Sequence, residues 1–281
     1  MAGAGLTQAD WAQRVPDLVA ECCEEWGLRL GEPYAAGAGG HTVRAELVDG
    51  TPVVLKVALP HRESEHEADA LELWNGDGAV RLLARDDNRF ALLLERCDPG
   101  TVLSAVGADG ALDVLADLLP RLWKPAGEPF HTLADEAAWW VSYLRRQWEE
   151  SGRPFERKLV DAAVDALEQL APTQGEHVLL HQDLHADNVL AAQREPWLVI
   201  DPKPLVGERE FALAPIVRGD ELGHSRGDVL HRLARLSAEL GLDRERARAW
   251  AMGQTLAWAY EPGEGWLDGH LDVVRWLVDA A

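Results

Sequence analysis

The stretch from residue 181 to residue 201 constrains the fold of this chain more than any other part of the sequence. It contains a polar segment, His181-Gln-Asp-Leu-His-Ala-Asp-Asn188, and then the apolar run Trp197-Leu-Val-Ile200, which ends at Asp201. Short apolar runs are typical of buried strands, and polar residues between them are typical of loops that carry functional side chains. The pattern therefore predicts a polar loop between short strands, with a carboxylate at the end of the last strand.

The polar residues of this stretch are of the types that a phosphoryl-transfer site requires. Such a reaction needs the acceptor hydroxyl in line and metal ions that neutralise the phosphates. Asp183 is the candidate base that orients the hydroxyl, and Asn188 with Asp201 are the candidate Mg²⁺ ligands. Each could alone be an ordinary loop residue, as His181 or His185 could be a core histidine, but their joint spacing favours the catalytic interpretation.

Lys56 provides a second, independent signal. It lies in the middle of the apolar run Val53-Val-Leu-Lys-Val-Ala58, where an ammonium group is costly to bury unless it is paired. The helical segment that follows supplies Glu67, and the pair would hold the lysine against the α and β phosphates of a nucleotide. The alternative is a lysine at a sheet edge whose ammonium group reaches solvent.

Three glycines, Gly37, Gly39 and Gly40, precede the predicted hairpin that contains Lys56. Glycine lets backbone N–H groups approach phosphates closely, although a glycine-rich stretch before a strand is more often a turn. The chain has no Gly-x-x-x-x-Gly-Lys-Ser/Thr pattern, which disfavours a P-loop enzyme. The three glycines are therefore candidate nucleotide contacts of low specificity.

The order of predicted elements indicates two parts. Up to Arg96 the patterns predict one or two helices between residues 8 and 30, strands at 42–48, 52–58, 80–84 and 90–94, and a helix at 63–74. Beyond Pro99-Gly100 they predict helices at 111–123, 133–150, 156–170, 227–240, 244–260 and 267–278, with short strands near 177–180, 189–192 and 197–200. We therefore predict an α+β fold. Residues 1–96 would form N-terminal helices and a nucleotide-binding lobe, and residues 97–281 a helical catalytic and substrate-binding lobe.

Composition narrows the possible partners. The 281 residues carry 48 acidic and 27 basic side chains, for a net charge of −21. This charge disfavours nucleic acid and favours cationic small molecules, although solubility alone could account for it. No apolar run reaches the roughly 18 residues of a membrane span, and the first residues lack the pattern of a secretory signal. The three cysteines form no Cys-x-x-Cys pattern. We expect a cytoplasmic protein that binds neither nucleic acid nor membrane.

The chain resembles the aminoglycoside and hydroxyurea antibiotic-resistance kinases from about Tyr34 to its C-terminus. The segments that carry the resemblance are Leu55-Lys-Val57, Glu67-Ala-Asp-Ala-Leu71, Leu92-Leu-Leu-Glu-Arg96, the 181–190 segment and Ile200-Asp-Pro-Lys203. The resemblance implies a protein-kinase-like fold of two lobes, with a small antiparallel sheet in the N-terminal lobe and a mainly helical C-terminal lobe. It also implies ATP and Mg²⁺ as cofactors.

The same resemblance supports the roles given above and adds others. The backbone at Glu95 and Cys97 becomes a hinge that hydrogen-bonds adenine, and Lys203 lies near the transferred phosphate.

This chain departs from the family pattern at three positions, with Gln182 and Pro204 in place of glycine and Ala212 near the position of an aspartate. The missing aspartate removes an expected brace of the catalytic loop, for which Glu208 or Glu210 is a candidate substitute.

Substrates of the family, by this resemblance, are mostly hydroxylated cationic antibiotics. We therefore expect an ATP-dependent O-phosphotransferase that inactivates a streptomycin-type aminoglycoside or a cyclic peptide antibiotic of the capreomycin or viomycin type. Acidic and aromatic side chains suit guanidinium or ammonium groups, although such tryptophans are often core residues. Two clusters are candidate substrate walls: Asp135, Glu136, Trp139 and Trp140, and Trp258, Tyr260, Glu261, Glu264, Trp266 and Asp268.

Other functions stay open at this point. A metabolic sugar or amino-sugar kinase, or a hydroxyurea kinase, would use the same site on a different acceptor. A metal-dependent hydrolase would use His181, Asp183, His185 and Asp187 on one face of an extended segment, but this interpretation gives Lys56 no role. The departures at positions 182, 204 and 212 would suit an inactive kinase-like binding module, but the key acidic and amide residues are retained.

Overall fold

The computed structural model describes residues 8–34 and 40–280. The chain divides into two compact units: unit 1 comprises residues 1–101 and 190–202, and unit 2 comprises residues 102–189 and 203–281. Every residue after Arg96 was predicted to belong to the second lobe. By its contacts, however, the segment that ends at Pro202 belongs to unit 1, so Asp201 lies in the same unit as Lys56.

Unit 1 is built on an antiparallel sheet. In its described part, five strands pair in the order β1 (Arg29–Pro33), β2 (Gly40–Glu46), β3 (Pro52–Ala58), β5 (Ala91–Glu95) and β4 (Leu82–Asp86). The accompanying helices are α1 (Gln8–Trp26) and α2 (Glu67–Trp74), and β7 (Val189–Ala191) pairs separately with β8 (Trp197–Val199).

Side-chain alternation gives the two faces of β3 different roles. Val53, Leu55 and Val57 pack with side chains of α1 in one hydrophobic cluster. Because successive side chains of a strand point to opposite faces, Lys56 lies on the other face. β3 is flanked by β2 and β5, so the alternative of a lysine at a sheet edge is wrong.

Unit 2 is mainly helical. Its helices are α3 (Ala108–Leu122), α4 (Leu133–Glu150), α5 (Arg157–Leu170), α6 (Ala214–Arg218), α7 (Arg226–Leu240), α8 (Arg244–Ala257) and α9 (Asp268–Val278). β6 (Val178–Leu180) pairs with β9 (Leu205–Gly207), and β10 (Tyr260–Glu261) with β11 (Gly265–Trp266). Four of these elements, α6, β9, β10 and β11, were not predicted, because segments this short show no detectable hydrophobic period.

In unit 1, two predicted helix boundaries differ from the structure, and in unit 2 the helix predicted to reach residue 260 ends at Ala257. The helix predicted from residue 63 begins at Glu67, because a short 3₁₀ turn at Arg62–Ser64 precedes it. The first helix ends at Trp26, and residues 29 and 30 belong to β1. The predicted end of α2 at residue 74 is confirmed: Asn75 has a left-handed backbone (φ 46°) and caps this helix. Across residues 8–34 and 40–280, no helix has both the length and the apolar character needed to cross a bilayer.

A glycine mediates the packing of α8 on α5. A methyl group on Gly253 would lie 2.6 Å from Cδ2 and 2.8 Å from Cγ of Leu167, which is fully buried. We therefore expect Gly253→Ala to lower the free energy of unfolding by about 1–3 kcal/mol. Gly227→Ala in α7 is the matched control: its nearest neighbour is Ser225 Oγ at 3.6 Å, and alanine should stabilise this helix by up to about 1 kcal/mol. Urea unfolding followed by circular dichroism measures both, and equal effects would contradict the packing argument.

Candidate functional site

Lys56 is the centre of a buried charge cluster in unit 1. Its side chain is 9% exposed, and Nζ donates to Oε1 and Oε2 of Glu67, each at 2.7 Å, and to Oδ1 of Asp201. Glu67 is buried at the start of α2. The contact expected between Lys56 and Glu67 is present, and Asp201, expected as a metal ligand, joins the same cluster.

The cluster keeps Lys56 charged. Burial alone would lower the pKa of this ammonium group, but the negative charges of Glu67 and Asp201 outweigh burial and raise it. Asp201 has a left-handed backbone (φ 55°), which is uncommon for a residue other than glycine, and its side chain is 43% exposed. Lys56 is therefore a fixed, permanently charged donor of the kind that can hold phosphate oxygens.

Asp183 is held by two cations in unit 2. Lys203 Nζ donates to Oδ2 at 2.7 Å, and Arg218 Nη2 donates to Oδ1 at 2.8 Å. Burial would raise the pKa of the Asp183 carboxyl, but the charges of Lys203 and Arg218 outweigh burial and hold this pKa below its ordinary value. Asp183 is thus ionised at neutral pH, which suits a group that accepts a hydrogen bond from a hydroxyl and orients it.

Both cations also lie against one aromatic ring. Lys203 Nζ is 4.9 Å and Arg218 Cζ is 4.4 Å from the ring centroid of Trp258, within the range of cation–π attraction. Trp258 was a candidate wall for a cationic substrate, but its ring is contacted by two cations of the chain itself. Arg218 was not predicted as a site residue, because it lies at the end of the short helix α6 and belongs to none of the motifs.

Backbone and amide contacts determine the conformation of the polar loop. Gln182 is left-handed (φ 63°), which accounts physically for the glycine expected at this position. Gln254 Nε2 donates to the Gln182 carbonyl oxygen at 2.8 Å. Asn188 Nδ2 donates to the Asp183 carbonyl oxygen at 2.9 Å, so the amide oxygen is the ligand atom that Asn188 can offer a metal. Gln254, which no motif indicated, therefore supports the residue next to the candidate base.

Glu208 and Glu210 are the candidate substitutes for the missing aspartate, and both bind residues of α8 or its N-cap. Ala212 is buried beside the loop and lines a small cavity with loop residues. Glu208 accepts hydrogen bonds from Arg246 Nη2 at 2.8 Å, and Glu210 accepts one from the backbone at the start of α8 at 3.4 Å. These contacts tie the segment after β9 to α8, whereas the Glu221 carboxylate accepts a hydrogen bond from the backbone of the polar loop at 2.8 Å.

The hydrolase alternative required an extended segment after β6. The structure instead has the left-handed Gln182 followed by a 3₁₀ turn at Ala186–Asn188. Alternating residues of this loop therefore do not share one face as they would in a strand. The premise of the alternative is not met in the described segment.

Part of the backbone of the predicted hinge is already hydrogen-bonded within the sheet. The Glu95 N–H donates to the Arg81 carbonyl oxygen at 2.9 Å, and the Glu95 carboxylate accepts hydrogen bonds from Arg194 at 2.8 and 2.9 Å. Of the Glu95 backbone, the carbonyl oxygen is therefore the group that adenine could hydrogen-bond. Burial raises the pKa of the Cys97 thiol to about 12, so this residue would contribute its backbone rather than a thiolate.

Of the three glycine candidates, Gly40 lies among the described residues. Gly37 and Gly39 lie outside the described residues. Gly40 lies in β2, where a side chain would come within 2.7 Å of the Val57 carbonyl oxygen. Close approach of β2 to β3 is thus a sufficient reason for glycine at position 40.

The candidate substrate residues divide into core and surface. Glu136 and Trp140 are buried, and Trp140 stacks on Phe211 at a centroid distance of 6.2 Å, which favours a packing role for these two. Tyr260 and Trp266 contact each other across the β10–β11 pair at 5.4 Å. The remaining candidates are exposed: Asp135, Trp139, Glu261, Glu264 and Asp268.

Comparison with known proteins adds the family. The model of the family described as aminoglycoside/hydroxyurea antibiotic resistance kinase matches residues 29–265. A hydroxyurea phosphotransferase from Kitasatospora aureofaciens is 40% identical over 267 residues, which cover 92% of this chain and 77% of the relative. A streptomycin 6-kinase from Streptomyces glaucescens is 38% identical over 269 residues, which cover 92% of this chain and 87% of the relative.

Solved structures share the fold. The choline kinase LicA from Streptococcus pneumoniae superposes with a TM-score of 0.70 at 14% identity, covering 95% of this chain and 99% of that one. A mutant of the aminoglycoside phosphotransferase APH(4)-Ia, in ternary complex with ADP and hygromycin B, has a TM-score of 0.59 at 16% identity, covering 92% and 94%. The predicted protein-kinase-like α+β fold is confirmed. The chain belongs to the aminoglycoside/hydroxyurea antibiotic resistance kinase family and is a phosphotransferase that acts on a hydroxyl group.

Proposed function

We propose that this chain transfers the γ-phosphoryl group of ATP to a hydroxyl group of a cationic antibiotic and thereby inactivates it, with a streptomycin-type aminoglycoside as the first candidate. Two observations support this choice: streptomycin 6-kinases from two Streptomyces species are similar over 92% and 90% of the chain, and the chain's net charge of −21 suits a cationic acceptor. Hydroxyurea is the second candidate, because the hydroxyurea phosphotransferase is 40% identical over the same share of the chain.

The proposed reaction gives each candidate residue one role. Asp183 accepts a hydrogen bond from the acceptor hydroxyl and orients its oxygen towards the γ-phosphorus. The new O–P bond forms as the bond between the γ-phosphorus and the β–γ bridging oxygen breaks, and the hydroxyl proton passes to Asp183. Lys56, held by Glu67, binds the α and β phosphates and offsets the charge that develops on the leaving nucleotide.

The proposed Mg²⁺ ligands fit the ion chemically. Asp201 offers a partly exposed carboxylate, and Asn188 offers an amide oxygen because its NH₂ group is engaged by a carbonyl. Mg²⁺ binds carboxylate and carbonyl oxygens together with the phosphates of a nucleotide. Asn188 and Asp201 would hold the ion, which supplies neutralisation of the phosphate oxygens when bound.

A cationic acceptor suits the charge of the chain. The net charge is −21, and Glu261, Glu264 and Asp268 are exposed on or beside the β10–β11 pair. Long-range attraction raises the local concentration of a cation and weakens as salt is added. The KM for streptomycin should therefore rise with ionic strength, whereas the KM for the neutral hydroxyurea should not.

The decisive experiment is an acceptor screen. Purified protein is incubated with ATP, Mg²⁺ and one of streptomycin, capreomycin, viomycin, hydroxyurea or glucosamine, and mass spectrometry detects an added phosphate. We expect streptomycin to be phosphorylated. Phosphorylation of hydroxyurea alone would select the second candidate, and a rapid reaction of glucosamine with inert antibiotics would select an amino-sugar kinase. No ATP consumption with any acceptor would select the inactive binding module.

A further inference from the structure

Two cations share one carboxylate in unit 2. Asp183 accepts hydrogen bonds from both Lys203 and Arg218, one on each oxygen. One cation would be sufficient to offset its charge, and the Arg218 side chain is only 9% exposed. Burying a guanidinium group is costly, so its position beside the candidate base requires a physical reason.

The segment that carries Arg218 is clamped by a second buried arginine. Arg232 of α7 is 1% exposed. Its Nη1 donates to the carbonyl oxygens of Leu222 and Gly223 at 3.2 and 2.7 Å, and its Nη2 to those of Val217 and Gly219 at 3.1 and 2.7 Å. These four acceptors lie on both sides of Arg218 in the chain. The backbone at Arg218 is therefore fixed before any ligand binds.

The groups around Arg218 leave its charge in place. The Trp258 ring covers one side of the guanidinium, and Asp183 binds Nη2. Burial and the charge of Arg218 lower the pKa of His270 to about 4, so this neighbour is neutral at physiological pH. Asp220, Glu221 and Asp228 lie near enough to stabilise the charge of Arg232. Arg218 is thus a fixed cation within one hydrogen bond of the oxygen atoms that orient the acceptor.

We infer that Arg218 contacts the phosphoryl group during transfer and stabilises its equatorial oxygens, and that Arg232 is the residue that positions it. This inference rests on the proposed function, because it needs the acceptor hydroxyl to bind Asp183. The acceptor oxygen binds Asp183 and then receives the phosphoryl group. It therefore lies close to the Arg218 guanidinium, which binds the same carboxylate. A planar guanidinium donates two parallel N–H bonds to phosphate oxygens, and preorganised donors of this kind act mainly in the transition state.

The test measures binding of a transition-state mimic and needs no acceptor of known identity. Calorimetry compares the affinity for ADP and Mg²⁺ with that for ADP, Mg²⁺ and aluminium fluoride, which mimics the transferring phosphoryl group. Arg218→Ala should bind ADP within about twofold of the unsubstituted protein. Aluminium fluoride should increase the affinity for ADP, and we call this increase the tightening. In Arg218→Ala the tightening should be smaller by about 10²-fold or more, since an arginine that stabilises a transferring phosphoryl group contributes about 10³–10⁵ in rate. Arg218→Lys should give an intermediate loss.

Three comparisons separate catalysis from structure. Arg226→Ala, in the first turn of α7, removes an exposed arginine of the same unit and should change neither affinity. Millimolar guanidinium should restore the tightening to Arg218→Ala and leave Arg226→Ala unaffected. Arg232→Lys keeps a charge but cannot reach four carbonyl oxygens, so it should reduce the tightening at unchanged ADP affinity and without rescue by guanidinium.

The outcomes distinguish failure of the role of Arg218 from failure of the proposed function. Unchanged tightening in Arg218→Ala, with normal ADP binding, would overturn the role of Arg218 and leave the phosphotransferase proposal standing. Failure of the unsubstituted protein to bind ADP would overturn the proposed function together with this inference. Loss of tightening that guanidinium restores would support both.

Discussion

Asp183→Ala is expected to lower kcat by about 10²–10⁴-fold while ADP affinity stays within about twofold of the unsubstituted protein. The carboxylate is ionised and held by Lys203 and Arg218, so its position is fixed before the acceptor binds. Its removal leaves the acceptor hydroxyl without an orienting partner and without a proton acceptor. Asp183→Asn should behave similarly, because an amide of the same shape cannot accept the proton.

The measurement is steady-state turnover with the acceptor found in the screen, together with calorimetric binding of ADP. Asp187→Asn is the matched control, since this carboxylate lies in the same loop, is exposed and accepts a hydrogen bond from Ser104. It should retain most of the activity. Unchanged turnover in Asp183→Ala would eliminate the assigned base.

Lys56→Met is expected to remove measurable nucleotide binding and to destabilise the fold by about 3–5 kcal/mol. The methionine is similar in length but leaves Glu67 buried without its cation, and an uncompensated buried charge is the costly result of breaking such a pair. Asp201 would lose the same partner. Loss of nucleotide affinity follows because Lys56 is the proposed cationic partner of the α and β phosphates.

A double variant separates the two effects. Lys56→Met combined with Glu67→Leu replaces the ion pair by apolar side chains, which is often neutral or stabilising. It should recover most of the lost free energy of unfolding and none of the nucleotide affinity. Lys158→Met, at an exposed lysine, controls for the loss of a charge and should affect neither. Normal ADP binding and turnover in the double variant would reject the role of Lys56.

Lys56, its contact with Glu67 and the polar loop could be predicted from the sequence, because each depends on a pattern within a short segment. An apolar run with a lysine at its centre predicts a buried cation that needs a partner, and strand alternation determines the face on which it lies. The loop from residue 181 to residue 188 was predicted as a polar connection between strands, and it follows β6 as expected. The contact of Lys56 with Glu67 was predicted in the same way.

Other parts could not be read from local patterns. Arg218 reaches Asp183 across 35 positions of sequence, and Gln254 reaches Gln182 across 72. Nothing in the residues around Arg218 distinguishes it from a surface arginine. Local sequence likewise does not distinguish a core tryptophan from a ligand-binding one. Trp140 was a candidate substrate residue, but the fold buries it against Phe211.

The sequence by itself determined the long helices, the central strands of unit 1, the reaction class and the residue types at the candidate site. The reason is that hydrophobic periods and motif spacing act over a few residues at a time. Only the tertiary structure decided that two cations bind Asp183 and lie against one indole ring, that Arg232 fixes the segment carrying Arg218, and that Asp201 joins the pair of Lys56 and Glu67. These arrangements arise when distant segments pack together, because the burial of each charge is then offset by groups that no local window contains.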